Sequence, residues 1–500
     1  MSSSGLGIII AFVIYFAGML SIGIYFSNKS KSLSDYVLGG RGLGKWVISM
    51  SAQASDMSGW LLMGLPGLAY ASGMAEAFWV ATGLCIGTYL NWRFVAKRLR
   101  LYTEEANDSL TISDFFANRF GDKTHVLRTV SSLFILVFFT VYTSSGFIAG
   151  GKLFETIFNV PYIWAVVLGA GILIVYTFLG GFFAVCWTDF IQGILMFFAA
   201  LIVPVLTVLH TGGVSGAVER ISAISPTFVS LFHGIKGNPL SAIVIISSLS
   251  WGLGYFGMPH ILVRFMAIRK PGDLKYARRI AMVWVVISLF SAVFTGIVGH
   301  AFTASDPLAD SEKIFMVIVQ SLFVTFIAGV MLSAILAAIM STASSQLLVA
   351  ASAISDDFYK ALFRRKATQK ELVWVSRSAV MAISLIAFAF ALNPGSSIFR
   401  VVSFAWAGLG STFGPVILCA LFWRRTTTRG ALAGIAVGGI TTLVWKLCAQ
   451  YGGIFSLFEI VPGFFLSLIA IIVTSRIGAP PSKEITDKFD AVQRKMSEKD

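Results

Sequence analysis

Two stretches decide how this chain reads: SAQASDMSGWLLMGLPG, Ser51–Gly67, and SSLSWGLGYFGMPH, Ser247–His260. The first holds Asp56 among Ser51, Gln53, Ser55 and Ser58, followed by Gly59, Gly64 and Pro66. The second holds Gly252, Gly254, Gly257 and Pro259. Each contains a Gly-x-Pro triplet, Gly64–Leu65–Pro66 and Gly257–Met258–Pro259. One such stretch reads as helix packing through small residues. Two in related positions, one with an acid, predict backbone that unwinds at membrane depth. Hydrocarbon tolerates this only where protein or a water-filled cavity covers it.

The membrane setting comes from the surrounding sequence. Of 500 residues, 56% are hydrophobic and 12% charged, against roughly 45–50% and about 25% in a soluble domain. The excess is spread along the whole chain as runs near 6–26, 47–71, 75–93, 129–150, 162–182, 189–209, 241–261, 280–301, 314–354, 372–392, 398–423, 430–449 and 455–475. A run of about 20 apolar residues spans a bilayer. The expectation is an all-α polytopic membrane protein with about 13 transmembrane helices. The first run has no basic leader and no small-residue cleavage site, so it is read as a retained helix.

Basic residues set the orientation, because cytoplasmic loops carry Lys and Arg. With the N-terminus outside and 314–354 counted as one span, 32 of the 38 basic residues fall inside. They include Lys29, Lys31, Arg41, Arg119, Arg264, Arg278, Arg279, Arg365, Lys366 and Lys499. Lys152, Arg220, Lys236, Lys313, Arg400 and Lys446 fall outside. Splitting the long run would reverse everything after it and spoil the asymmetry. That run is therefore read as an outer interfacial stretch near 314–324 followed by one helix. The net charge of +14 is assigned to loops facing an anionic leaflet rather than to nucleic acid.

The interrupted spans are the second and the seventh. Their starts are five spans apart, an odd number, so they cross in opposite senses. This predicts an inverted 5+5 repeat, spans 2–6 (about 47–209) and 7–11 (about 241–423), the LeuT-type architecture. Residues 1–480 then form a single transmembrane transporter domain and 481–500 a cytoplasmic tail.

Asp56 is an acid well inside the first of these broken spans, and an intramembrane acid is functional by default. Asp189 lies nearer an interface. Ser341 and Thr342 follow Ala338 by three and four residues, which on a helix places two hydroxyls beside the Ala338 carbonyl. Such a set suits an alkali cation, although hydroxyls in membrane helices also bond back to their own turn. Tyr142, Trp251 and Tyr255 fall mid-span beside small residues and could wall a small solute or pack in the core. Cys85, Cys186, Cys419 and Cys448 form no CxxC pair. There is no HExxH, no GxxxxGK[ST] and no GxSxG, so no enzyme is expected, and an ion gradient is the expected energy source.

Six stretches then carry a resemblance. DYVLGGRGLG (Asp35–Gly44), SDMSGWLLMGLPG (Ser55–Gly67), GGFFAVCWTDFIQ (Gly180–Gln192), WGLGYFGMPHILVRFMA (Trp251–Ala267), LSAILAAIMSTASSQLLV (Leu332–Val349) and ELVWVSR (Glu371–Arg377) resemble the sodium/solute symporter family, most closely its sodium/proline branch. The resemblance spans almost the whole chain. It implies a sodium site formed by the Ala54 and Met57 backbone with Ala338, Ser341 and Thr342, with Asp56 required nearby. It implies a proline pocket of Ser58, Gly59, Trp60, Tyr142, Trp251, Tyr255 and Pro259, and a gating role for Arg41. Sodium is the implied coupling ion, with no other cofactor, and no obligate protein partner is expected. The implied place is a bacterial cytoplasmic membrane. Pantothenate or a short carboxylate is the alternative solute; a membrane sensor and a channel are the alternatives of other classes.

Overall fold

The computed structural model describes residues 3–27, 37–179, 181–364 and 366–497. Asp35, Tyr36 and Gly180 of the motifs, and Lys29, Lys31, Arg365 and Lys499 of the basic residues, lie outside the described residues. In hydrocarbon every backbone polar group has to be satisfied inside the protein, and the described residues are accordingly almost all helical.

Helix α1 (Ser3–Ser27) is followed by α2 (Lys45–Met57), a π-turn at Trp60–Gly64 and α3 (Leu65–Ser72). Next come α4 (Met74–Leu90), α5 (Ala96–Glu105), α6 (Ile112–Phe120), α7 (Val126–Phe158), α8 (Tyr162–Leu179), α9 (Phe182–His210) and α10 (Gly213–Ile224). The seventh segment is broken: α11 (Ala242–Leu249), a 3-10 stretch at Ser250–Gly257, then α12 (Pro259–Met266), with a 47° bend. Then follow α13 (Leu274–Phe302), α14 (Ile314–Leu322), α15 (Thr325–Ser352), a π-helical continuation at Ala353–Phe363, α16 (Gln369–Ala391), α17 (Ile398–Phe422), α18 (Thr428–Cys448), α19 (Ile460–Ile477) and α20 (Lys483–Ser497).

Each expected apolar run coincides with helix, but the runs are not equal. Among the described residues, nine helices are long and apolar enough to cross a membrane, or ten with the bent seventh segment as one span. The segment holding Ser51–Gly67 falls short because its own break divides it, and Tyr162–Phe178 is a shorter apolar helix. The expected count of thirteen is therefore loose, because nine or ten of the described segments meet the length and hydropathy of a span. The long run near 314–354 does divide as expected, at the extended residues Phe323 and Val324.

The core is built around α2 and α15. Helix α2 packs against α9, α12, α13 and α15. Almost every residue of α15 from Ala328 onward is buried, which is why it shows no polar stripe. The 3-10 stretch is clasped between α4 and α17. Its seam with α4 is bare backbone: a methyl at Gly87 would fall 2.2 Å from the Gly252 oxygen, and one at Gly83 would fall 2.3 Å from the Leu249 oxygen.

Candidate functional site

The site begins where α2 stops. Ser58 sits at φ 48°, ψ −173°, a conformation costly for a side-chain-bearing residue. Its amide turns away from the helix and donates to Thr342 Oγ1 at 2.9 Å. The Ala54 carbonyl, which that amide would meet in an unbroken helix, instead accepts from Ser341 Oγ at 2.8 Å and Thr342 Oγ1 at 3.4 Å. Ser341 Oγ is also 3.2 Å from the Ala338 oxygen. Ala54, Ala338, Ser341 and Thr342 therefore converge as one buried group of oxygens across the α2–α15 contact. Met57 ends α2 directly before the break. A set of released carbonyls and hydroxyls is what a compact hard cation takes in place of water.

The other face of the break walls a cavity. It is lined by Asp56, Met57, Trp60, Leu84, Tyr142, Trp251, Tyr255, Val402 and Trp406. The volume open to the centre of a water-sized sphere is about 10 Å³, near the lower limit for one water. Tyr255 donates to Asp56 Oδ2 at 2.6 Å, and Tyr142 donates to the Asp56 carbonyl at 3.3 Å. Trp60 and Trp251 lie 5.3 Å apart between ring centres, and Phe399 closes over both at 6.1 and 5.3 Å. Trp406 packs edge-on against Tyr255 and donates to the Trp251 carbonyl at 2.8 Å.

Of the seven residues expected to form the pocket, Trp60, Tyr142, Trp251 and Tyr255 line this cavity. Ser58, Gly59 and Pro259 do not. The Ser58 hydroxyl accepts from the Trp60 amide at 3.1 Å. Gly59 is packed toward Ala149 and Ile339. Pro259 occupies the first turn of α12, where its ring costs no hydrogen bond. Trp251 and Tyr255 share the cavity, but on a 3-10 turn rather than by α-helical i, i+4 spacing. Leu84, Val402 and Trp406 had no signal in the sequence.

Two polar clusters hold the ends. At one, Arg264, expected in a loop, is buried with Asp189: Nη2 meets Oδ2 at 2.8 Å, with side-chain exposures of 1% and 0%. Arg264 also donates to Ser51 Oγ at 2.8 Å, Ser345 Oγ at 2.5 Å and the His260 carbonyl, linking α2, α9, α12 and α15. At the other, Glu312 accepts from Lys152 at 2.7 Å and from the Ile398 and Phe399 amides at 3.0 and 2.9 Å. It thereby caps α17 beside Phe399.

Arg41 lies apart from the cavity. It donates to Asp108, Thr103 and the Ser109 and Met266 carbonyls at 2.7–3.2 Å. Burial, and then the neighbouring Arg100, pull its guanidinium below the usual range. The Arg269 amide donates to the Leu43 carbonyl at 2.9 Å nearby, so this end is stitched shut between 39–43, α5 and the end of α12.

The chain matches the model of the sodium:solute symporter family over residues 36–438. It is 48% identical over 482 residues to the high-affinity proline transporter PutP of Bacillus subtilis, spanning 96% of this chain and 100% of that one. It is 47% identical over 487 residues to the sodium/proline symporter of Salmonella typhimurium, spanning 96% and 95%. Among solved structures, a Na+-coupled sialic acid symporter in a substrate-bound outward-open state aligns over 95% of this chain and 99% of its own, with TM-score 0.80 at 20% identity. MhsT in complex with L-phenylalanine aligns over 85% and 97%, with TM-score 0.51 at 14% identity. The fold is thus of the LeuT type, and the protein is a multi-pass membrane transporter rather than an enzyme. Through the match over most of its length and its close similarity to these relatives, the chain belongs to the sodium:solute symporter family.

Proposed function

We propose that this chain is a secondary active symporter that imports L-proline with sodium across a bacterial cytoplasmic membrane. The observation that carries the reading is the break at Ala54–Ser58, which is at once part of an oxygen cluster and one wall of an aromatic cavity. The names of the relatives support proline and sodium as the solutes. Sodium takes the Ala54, Met57 and Ala338 carbonyls and the Ser341 and Thr342 hydroxyls, replacing the hydrogen bonds those hydroxyls now donate to Ala54 and Ala338 while Thr342 keeps the bond it accepts from Ser58. Asp56 supplies negative field to the ion and to the ammonium of the solute. Trp60, Tyr142, Trp251 and Tyr255 wall the ring, and the positive end of the helix resuming at Trp60 favours the carboxylate.

Coupling runs through Thr342. The hydroxyl that would meet sodium also holds the Ser58 amide, and Ser58 in turn holds the Trp60 amide. An ion that orders Thr342 therefore orders the cavity wall, which is a differential affinity between two states. The cavity as it stands is smaller than an amino acid, so entry requires the Trp60–Trp251–Phe399 lid to part. Arg41 acts at the opposite gate. The N-terminus lies outside and the C-terminus inside, with residues 1–480 as one transporter domain, 481–500 as its cytoplasmic tail, the lipid bilayer as surroundings and no obligate protein partner.

The test is radiolabelled proline uptake into proteoliposomes with and without an imposed sodium gradient, with pantothenate and a short carboxylate as competitors. Uptake that follows the gradient and resists both competitors is expected. Sodium-independent uptake, or displacement by pantothenate, overturns the assignment.

A further inference from the structure

On the outer surface of the bundle, α2, α9 and α13 form an open groove of about 410 Å³. Its walls include Trp46, Met50, Phe190, Ile194, Phe197 and Val283, and Arg279 stands at one end. Phe190 and Phe197 are seven residues apart on α9, so the wall extends along about 10 Å of helix. Trp46 and Val283 are 57% and 59% exposed.

The charged end is unusual for this molecule. Lys45 Nζ, Lys275 Nζ and Arg279 Cζ lie 4.7, 5.3 and 5.9 Å from the centre of one ring, Tyr276. Arg278 Cζ lies 5.5 Å from the Tyr89 ring. Several enclosed cations elsewhere are paired, Arg264 with Asp189, Arg128 with Asp356 and Asp357, and Lys152 with Glu312, whereas buried Arg119 is held by the Ala420 and Trp423 carbonyls and by aromatic faces. Among the described residues Lys45, Lys275, Arg278 and Arg279 have no carboxylate partner. Asp273, the acid in the run Arg269–Arg279, caps no amide through its side chain. The helices α2 and α13 both start here, adding the positive ends of two helix dipoles. Converging like charges repel, and contact with an aromatic face offsets only part of that.

We propose that this groove binds an anionic glycerophospholipid. Its phosphate sits among Lys45, Lys275 and Arg279, which share the Tyr276 ring, and an acyl chain lies along Phe190–Phe197 and Val283. Exposed Trp46 and Tyr276 mark the headgroup level, where amphipathic rings collect. Charge selects this groove over its neighbour between α1 and α8. That one has about 470 Å³ and is lined by residues such as Phe16, Leu20 and Val175, with no charged side chain. Through Met50, one turn before Ala54, the lipid touches the helix that carries the break.

The test is native mass spectrometry of the delipidated full chain after adding phosphatidylglycerol or phosphatidylcholine of the same acyl composition. The wild type should retain phosphatidylglycerol by at least about fivefold over phosphatidylcholine, the contribution of one basic residue at an anionic surface. Lys45→Gln/Lys275→Gln/Arg279→Gln should abolish that preference, whereas Arg424→Gln/Arg425→Gln should keep it. Should the triple variant fail to fold, Val283→Trp fills the groove with every charge intact and should lower retention of phosphatidylglycerol severalfold. Equal retention of the two lipids by the wild type overturns the proposal. So does undiminished preference in the triple variant, undiminished retention in Val283→Trp, or full displacement of the lipid by millimolar inorganic phosphate.

Discussion

The Tyr255 hydroxyl donates to Oδ2 of Asp56 at 2.6 Å, so the two broken segments, far apart in sequence, meet at a hydrogen bond inside the bundle. Tyr255→Phe leaves that carboxylate oxygen without its donor. The expected loss in proline affinity is about 1.5–3 kcal/mol, the scale of a bond to a charged group. Equilibrium binding of labelled proline to purified protein measures it. Wild-type affinity in a folded Tyr255→Phe protein would detach this pair from the site.

Thr342 is asked to do two jobs, holding the Ser58 amide and facing Ala54. Thr342→Ala should move the sodium midpoint of proline binding upward by roughly tenfold, about 1.4 kcal/mol. Raising sodium should restore part of the proline affinity, because the loss is one of coupling. Thr342→Ser, which keeps the oxygen, should stay near wild type. Asp56→Asn should shift the midpoint further than Thr342→Ala. A sodium titration in which Thr342→Ala keeps its midpoint would dismiss the oxygen cluster.

Trp251→Ala should weaken proline more than sodium, by a few kcal/mol, since a large aromatic wall is removed. Trp406→Phe retains the ring but loses the bond to the Trp251 carbonyl, and should cost about 1 kcal/mol. Calorimetry of proline binding at saturating sodium separates the two. Parallel losses in both ligands for Trp251→Ala would mean that the residue supports the fold alone.

The Arg264–Asp189 pair predicts a stability effect. Asp189→Asn or Arg264→Gln strands one charge in the interior, which costs about 3–5 kcal/mol. Each should lower the unfolding temperature in detergent, followed by tryptophan fluorescence. The double variant should recover part of the loss. Asp189→Asn should shift sodium dependence less than Asp56→Asn. Single variants as stable as wild type would show the pair to be dispensable.

Orientation is testable by labelling. An impermeant thiol reagent applied to intact cells should reach Lys236→Cys and not Lys366→Cys, both exposed side chains. Equal labelling would reject the proposed topology.

What the sequence disclosed, and what it hid, follows from distance along the chain. The spans were legible because a bilayer imprints its thickness on hydropathy. Ala338, Ser341 and Thr342 were legible because helix geometry ties them together over four residues. The break at Met258 announced itself through Gly257 and Pro259; in the first segment Gly64–Leu65–Pro66 stays helical, and the chain turns instead at Ser58, beside Gly59. By contrast, Arg264 counts like any basic residue near a loop until Asp189, 75 residues away, is seen against it. Leu84 and Val402 are ordinary apolar residues, and only the packing of α4 and α17 around the 3-10 turn places them in the wall. Gly59 and Pro259 lie beside the right residues in sequence, but the turn of the backbone aims them elsewhere.

The bare seam between Gly87 and Gly252 has a mechanical corollary. Two backbones in such close register leave no room for even one methyl group between them. Helix α4 and the 3-10 stretch therefore move as a single lever. Flexing falls instead to the residues where the helices are already open, Ser58 on one side and Met258 on the other. The molecule separates rigid parts from joints: glycines clamp the seam, whereas the joints turn at Ser58 and Met258, which carry side chains.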